Sequence, residues 1–496
     1  MRKLTELLTE IEYTSKRDIT ALEICSVSND SRKAGADSLF IAISGAVHDG
    51  HSYVRAAYNN GCRVFLCEKE VELPDDAYVL LTPDTRKGLA LASAAFYSFP
   101  SKKLRIIAFT GTKGKTTTAY LLYRLLCLAG KRAAYIGSNG IDYAEIHLDT
   151  ANTTPESCEL HYHFDKMVAA GVEFVAMEVS SQALYLHRVH GIEFETVVFT
   201  NLAPDHIGGA EHPTFEHYRD CKRELFFSYG AKNMVYNADD EASDYMVNPT
   251  LALYPVSLQE KGSFNAYDIE QYIENGNIGI RFSMKTGRAT YDVCTLCPGA
   301  FSAYNAMTAM VCAKLCSVSF ARSAKLLAQI TVSGRFECVG AIDDRVFVID
   351  YAHNGFSLRN VLDALRAYPH NRLICLFGSV GGRTKGRRAE LGSVAAEMCD
   401  FCIITSDNPD FEAPDAIISE IAAEFDKIGN DRYIMIPDRE EAIKYVIEIS
   451  EPNDLILLAG KGHETYQLIE GTKVPFSERE LIQKYASGIK TQMQKN

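Results

Sequence analysis

The chain has no apolar run approaching the ~20 residues that a bilayer-spanning helix requires, so no transmembrane segment is expected. It has no tract of basic residues. Its 51 Lys and Arg stand against 64 Asp and Glu, a net charge of −13, and that balance argues against nucleic acid as a main partner. The opening residues, MRKLTELLTEIEY, are charged from the first turn and contain no apolar h-region. No secretory signal is read there, and the expected location is the cytosol. Internal repeats and low-complexity tracts are also missing. What is present is ordinary globular material: 496 residues, 47% hydrophobic and 23% charged. That length suggests about three domains, each with its own core.

In a reducing compartment the fourteen cysteines are expected as thiols. Cys294, Cys297, Cys312 and Cys316 have a spacing that invites comparison with a zinc site. Cys294 and Cys297 lie in a strand-like run, ATYDVCTLC, where an offset of three places them on opposite faces. Cys312 and Cys316 lie one turn apart in an Ala/Met-rich helical stretch. Buried apolar cysteine is the reading preferred.

Residues 1–100 mix short strands (DSLFIAI, CRVFLCE, AYVLLT) with helices and end at Phe99-Pro100-Ser101, read as a linker. An apolar strand over 104–109 follows, then a Gly-rich turn and a helix over 116–129 closed by Gly130. Further strands are expected over 172–179 and 196–202, and a helix over 304–318. Residues 232–300 read as irregular, with short strands. Ser333-Gly334-Arg335 marks the next boundary. Beyond it, VFVIDYA, LICLFG, FCIITSD, YIMIP and LILLAG alternate with helical patterns, as in a parallel doubly wound sheet. Four of these strands run into polar or Gly-rich clusters: Asp350-Tyr351-Ala352-His353-Asn354, residues 378–388, Asp407-Asn408-Pro409-Asp410 and residues 460–464. Ligands bind at the carboxyl ends of such strands, so one crevice is expected to gather all four. Turn chemistry alone would explain one such cluster but not four.

The strongest chemical signal is Phe109-Thr110-Gly111-Thr112-Lys113-Gly114-Lys115-Thr116-Thr117, between a strand and a helix. Backbone N–H groups of such a turn, with the helix N-terminus, cradle phosphates. Lys115 is placed to reach the β- and γ-phosphates and Thr116 to ligate Mg²⁺. Phe109 occupies the place of the usual first glycine. Glu178 ends a strand where a carboxylate can serve Mg²⁺, and Asp205-His206 follow another; taken alone, each also reads as a solvated strand end. Lys222 lies in a polar helical stretch, EHYRDCKRELFF, and by itself reads as a surface lysine.

The ordered set GTKGKTT, NTTPES, EVSSQA…HR, FTNLAPDH, AYNAMTA, SGRFE, DYAHN and GKGHE resembles the Mur ligases, and within them the MurE type, over essentially the whole chain. Asn29-Asp30-Ser31-Arg32 and His48-Asp49-Gly50-His51 resemble that type's uridine-nucleotide domain, which separates it from folylpolyglutamate synthetase.

The resemblance implies an α/β protein of three domains. These are a UDP-binding α/β domain over 1–100, a P-loop ATPase-like domain with a mostly parallel sheet over 101–332, and a Rossmann-like doubly wound domain over 333–496. It implies ATP binding by Gly111, Thr112, Lys113, Gly114, Lys115, Thr116 and Thr117, with Asn305 and Arg335 on adenine and phosphates. Ser31, Thr153, Thr154, Ser180 and Arg188 correspond to residues that hold UDP-MurNAc-L-Ala-D-Glu. Thr116, Glu178, His206 and Lys222 correspond to the Mg²⁺ site, Lys222 matching the lysine that becomes an N6-carboxylated carbamate. His353 and Asp350 would orient ATP and the acyl phosphate. Arg383, Asp407, Asn408, Asp410 and Glu464 would take the incoming amino acid, Arg383 by its carboxylate.

Some positions differ from the usual pattern: Gln182, Leu186, Lys113, Asn354-Gly355 and the stretch Pro204-Asp205-His206-Ile207-Gly208. Together these resemble the lysine-adding variant of streptococcal type. The implied reaction is phosphorylation of the D-Glu γ-carboxylate by ATP, then attack of a diamino acid on the acyl phosphate, in a cytosolic monomer whose domains close around the substrates. L-Lysine is the expected amino acid. Diaminopimelate-adding members carry Asp-Asn-Pro-Arg, whereas here Asp410 ends the motif; Arg387 or Arg388 is an alternative partner for a distal carboxylate. meso-Diaminopimelate, a P-loop regulatory module without ligase chemistry and a degenerate paralogue remain the alternatives.

Overall fold

Strands covered on both faces read as unbroken apolar runs, and the runs 105–110, 174–178 and 196–199 pair side by side in the computed structural model. The structure describes residues 1–493 except 46, 47, 206, 209, 210, 275, 288, 343, 383 and 384. The chain divides into two compact units, Met1–Asn265 with Met307–Ser323, and Ala266–Ala306 with Ala324–Asn496.

The first unit holds two large sheets beside the small pair of Arg2–Lys3 with Glu23–Ile24. The amino-terminal one has the order Thr14–Ser15, Tyr78–Leu81, Val64–Cys67, Ser38–Ile41, Ser26–Ser28, and its last four strands run parallel. In the larger sheet Arg105–Thr110 lies between Phe174–Glu178 and Thr196–Phe199, all parallel, followed by Asn233–Asn237 and Ala252–Ser257. Ala133–Gly137 continues the other side, and the edge strands Gly140–Tyr143 and Ile146–Leu148 turn antiparallel. Glu178 pairs with Phe109 and Phe199 with Thr110. The three strands therefore end level, and the loops that follow open at one edge. Ile106, Ala108, Val175, Met177 and Val197 form the floor of the core, with Leu160 and Phe164 from the helix Ser157–Ala169 packed on it.

The second unit has the sheet order Glu337–Ile342, Arg345–Asp350, Leu455–Ala459, Leu373–Phe377, Phe401–Ile404, Tyr433–Met435. The last five strands are parallel and the first is antiparallel. Helices Gly355–Arg366, Lys385–Met398 and Pro414–Lys427 cover one face through Leu358, Leu391 and Ile421. Arg439–Ile449 and Glu478–Met493 cover the other through Ile443, Val446 and Ile482. This is the doubly wound arrangement expected from the five apolar runs, with the late strand Leu455–Ala459 inserted between the first two.

The stretch read as irregular is more regular than expected. Phe264–Glu274 and Asn277–Thr286 are long strands, and the latter pairs antiparallel with Ala289–Thr295. Asn277–Thr286 alternates, with Ile278, Ile280, Phe282 and Met284 buried on one face and Arg281 and Lys285 exposed on the other. The fourteen cysteines are free thiols, with Cys312 and Cys316 in apolar surroundings. Among the described residues no helix is long and apolar enough to cross a membrane.

One buried ion pair holds the second unit's layers together. Arg439 donates to Glu478 at 2.9 Å and to the carbonyls of Ser406 and Ala459 at 3.0 Å. Both side chains are inaccessible, and burial pushes the Glu478 carboxyl up. Arg439→Ala leaves that carboxylate unpaired and should cost about 3–5 kcal/mol. Urea unfolding of the full chain should show the unfolding midpoint of this unit lowered accordingly.

Candidate active site

The Gly-rich turn follows the strand Arg105–Thr110 and opens the helix Lys115–Leu128. Gly111 and Gly114 adopt φ of 148° and 81°, conformations that side chains resist. A Cβ on Gly111 would lie 2.0 Å from Thr200 Oγ1 and 2.9 Å from the Asn201 carbonyl. The turn is laced to that neighbouring strand end. Asn201 Oδ1 accepts the Lys113 N–H at 2.9 Å, its Nδ2 donates to the Lys113 carbonyl at 3.0 Å, and Thr200 Oγ1 donates there at 2.7 Å. No side chain caps the helix that begins here, so its first N–H groups point toward the turn as an anion site. Lys115 Nζ donates to the carbonyls of Gly111 and Thr112 at 2.9 and 3.1 Å.

Glu178 is the centre of the cluster. It is fully buried, not the solvated strand end that the residue alone suggested. Thr116 Oγ1 donates to its Oε2 at 2.9 Å, while Tyr135 OH and the Ser138 N–H donate to Oε1 at 2.7 and 2.8 Å. Its backbone carbonyl accepts from Thr154 Oγ1 at 3.0 Å. The Ser180 N–H donates to that same hydroxyl at 3.1 Å, and Ser180 caps the helix Ser181–Tyr185. Arg188 donates to the Thr154 carbonyl at 3.0 Å and pairs with Glu156 at 2.7 Å. Thr153 meets Ser138 hydroxyl to hydroxyl at 3.0 Å. One connected network thus joins Thr116, Thr153, Thr154, Glu178, Ser180 and Arg188. Ser31 lies in the turn after the strand Ser26–Ser28, where Asn60 holds its carbonyl.

Lys222 corrects the surface reading of its helix. It is buried, and its Nζ donates at 2.9 Å to the Gly111 carbonyl, the oxygen that Lys115 also holds. The ammonium stands 4.4 Å from the centre of the Tyr218 ring. Burial first, and the Lys115 charge second, push its pKa well below the ordinary lysine value. Lys113 pairs with Asp205 at 3.1 Å. His206 lies outside the described residues.

In the second unit the four expected clusters meet at one sheet edge. Lys461, fully buried, donates to Asn408 Oδ1 and Glu464 Oε2 at 3.0 Å and lies 3.5 Å from Asp407. Asn408 Nδ2 donates to Glu464 at 2.9 Å, and its carbonyl accepts the Gly381 N–H at 2.9 Å. Asp350 accepts N–H bonds from Ala352 and Phe336, both at 2.9 Å, and so shapes the loop that carries His353. His353 Nδ1 meets the Tyr351 carbonyl at 2.8 Å, and the Arg335 guanidinium lies 4.7 Å from the Tyr351 ring centre. Asn305 is buried on the helix Phe301–Leu315. Asp410, at φ 52°, accepts the Gly471 N–H at 2.8 Å. Arg383 lies outside the described residues. Arg388 is buried between Glu412 and Glu420 and is committed to them, which removes it as a partner for a distal carboxylate. Sequence reasoning passed over Tyr135, Asn201, Tyr218 and Lys461. Asn201 and Lys461 sat inside quoted motifs; the two tyrosines carried no signal.

Three family profiles match the chain: "Mur ligase family, catalytic domain" over 23–97, "Mur ligase middle domain" over 109–313 and "Mur ligase, glutamate ligase domain" over 334–462. A relative from Caldanaerobacter subterraneus subsp. tengcongensis is 37% identical, covering 97% of this chain and 98% of its own. One from Bacillus licheniformis is 36% identical over 97% and 99%. Both are named UDP-N-acetylmuramoyl-L-alanyl-D-glutamate–2,6-diaminopimelate ligases. A solved structure of a ligase of that name superposes with a TM-score of 0.70 at 28% identity, covering 98% of this chain and 99% of that one. The ADP complex of a MurF ligase from Thermotoga maritima shares the fold, with a TM-score of 0.59 at 15% identity over 95% and 99%.

Gly111→Ala should fold and lose nucleotide. The added methyl meets Thr200, and strain of about 1–3 kcal/mol translates into roughly tenfold to hundredfold weaker ATP binding. Titration calorimetry with ATP and the wild-type chain as reference reads the difference.

Proposed function

The chain belongs to the Mur ligase family, and on that premise we propose that it is an ATP-dependent ligase joining a diamino acid to the D-Glu γ-carboxylate of UDP-MurNAc-L-Ala-D-Glu. The observation that carries this reading is the convergence of Lys115, Lys222, Thr116 and Glu178 on one P-loop turn. The γ-phosphoryl of ATP passes to the carboxylate, the amine attacks the acyl phosphate, and phosphate leaves as the amide forms. Lys115 exchanges its loop carbonyls for phosphate oxygens and stabilises the transferring group. Residues 1–100 take the uridine nucleotide, 101–332 ATP, and 333–496 the amino acid.

The donor set fits Mg²⁺: the Thr116 hydroxyl and the Glu178 carboxylate are hard oxygen ligands. Lys222 completes the set as a carbamate, with His206 as the fourth residue. Burial and the Lys115 charge push the Lys222 pKa down and so favour the amine form that adds CO₂, and the product is an anionic oxygen ligand. Mg²⁺ supplies charge neutralisation on the phosphates. Thr153, Thr154, Ser180, Arg188 and Ser31 hold the UDP-precursor, Asn305 and Arg335 the nucleotide, and Asp350 sets the loop that presents His353.

The amino acid is L-lysine, and Asp410 selects it. Its carboxylate accepts the Gly471 N–H and suits a terminal ammonium. A distal carboxylate ~4 Å from Asp410 would cost about 1–4 kcal/mol, roughly tenfold to nearly a thousandfold in discrimination. The names of the relatives favour a second reading, meso-diaminopimelate.

Two experiments test this. Lys222→Ala should lose ligation and regain part of it with added short carboxylic acids, in an assay where ATP turnover requires both precursor and amino acid. ATP hydrolysis that needs neither acceptor would instead identify a P-loop regulatory module. Competition between equal L-lysine and meso-diaminopimelate should favour lysine, and Asp410→Arg should shift the ratio toward diaminopimelate by about tenfold or more. A wild-type preference for diaminopimelate assigns that substrate instead.

A further inference from the structure

Near the phosphate turn, at the first turns of the helix Phe215–Phe227, lies a group of soft ligands that the ligase chemistry does not use. His217 and Cys221 stand four residues apart on that helix and so share a face. His212, just before the helix, closes the group. Its Nδ1 lies 2.9 Å from His217 Nδ1, and Cys221 Sγ lies 3.8 Å from the same His217 atom. All three donor atoms fall within 4.8 Å of one another.

We propose that His212, His217 and Cys221 form a binding site for a zinc-class transition-metal ion, held by the two imidazole Nδ1 atoms and the thiolate. Bond lengths near 2.0 and 2.3 Å around a tetrahedral ion set the donors roughly 3.3–3.6 Å apart, so the two separations at His217 need shifts of a few tenths of an ångström and the remaining pair, within 4.8 Å, closes by about 1 Å to admit one. Two imidazoles and a thiolate favour a borderline-soft ion over Mg²⁺. The second shell is in place: His212 Nε2 meets Ser181 Oγ at 2.9 Å, which leaves Nδ1 facing the other donors. The rings of Tyr185 and Tyr218 lie 4.8 Å from His217 and 5.3 Å from His212 and wall the site with aromatic surface. Three protein donors leave a fourth position for water or a small anion. The site is distinct from the oxygen set around Glu178, because Lys222 Nζ turns to the Gly111 carbonyl. An ion here would tie the residues before the helix to the turn that carries Lys222.

The test uses the reduced full chain, stripped with chelator and kept in excess Mg²⁺ so that hard-donor positions are filled. Co²⁺ alone is titrated in. One Co²⁺ per chain with a thiolate-to-cobalt charge-transfer band is expected, and Zn²⁺ should displace it and raise the melting temperature. Cys221→Ala should abolish the band. His217→Asn, at a half-exposed ring, should weaken binding by roughly tenfold or more while the chain stays folded. Absence of the band at equimolar Co²⁺, or a band and affinity unchanged in both variants, overturns the proposal.

Discussion

A carboxylate with no access to solvent needs a donor for every lone pair it can offer, and in the first unit that requirement organises the surroundings of Glu178. Its neighbours are chosen to meet it. Tyr135 reaches across from the adjacent strand, Ser138 supplies a backbone N–H, and Thr116 comes from the first turn of the P-loop helix. Even Gly137 serves the same end, since a Cβ there would lie 2.2 Å from Glu178 Oε1. Thr154 and Ser180 then hang on the Glu178 backbone, so the positions read as precursor contacts inherit their placement from the same residue. A few residues away the side chains of Lys115 and Lys222 both donate to the Gly111 carbonyl.

The second unit solves a similar problem with the signs reversed. Lys461 is the buried charge, and Asn408, Glu464 and Asp407 surround it. Four loops from different strands contribute to that edge, which is where a doubly wound sheet leaves its crevice. Around Lys461 itself two carboxylates, Asp407 and Glu464, face one ammonium.

Much of this was legible from residue order. The P-loop helix was expected over 116–129 and runs Lys115–Leu128, and the five apolar carboxy-terminal runs all became parallel strands, because buried strands and Gly-Lys-Thr turns announce themselves locally. The strands over 264–286 run longer than the short ones expected, although Ile278, Ile280, Phe282 and Met284 already alternate with Arg281 and Lys285 in residue order. Lys222 read as a surface residue because its helix is polar along most of its length. Only the packing that buries it reveals the lowered pKa. Arg388 shows the same limit in the other direction: a plausible ligand by position, it is bound to Glu412 and Glu420. Tertiary commitments of this kind join residues tens of positions apart and leave no trace in spacing.

Lys115 rests on two carbonyls of its own turn. On the proposed reading, an arriving phosphate does not find an idle cation; it displaces an internal ligand. Recognition becomes a swap in which the count of bonds to the ammonium barely changes, and the net gain comes from trading partial charges for full ones. Such a turn keeps its shape without nucleotide and holds the nucleotide only as firmly as the difference between two satisfied states, which suits a catalyst that must release its spent product every cycle.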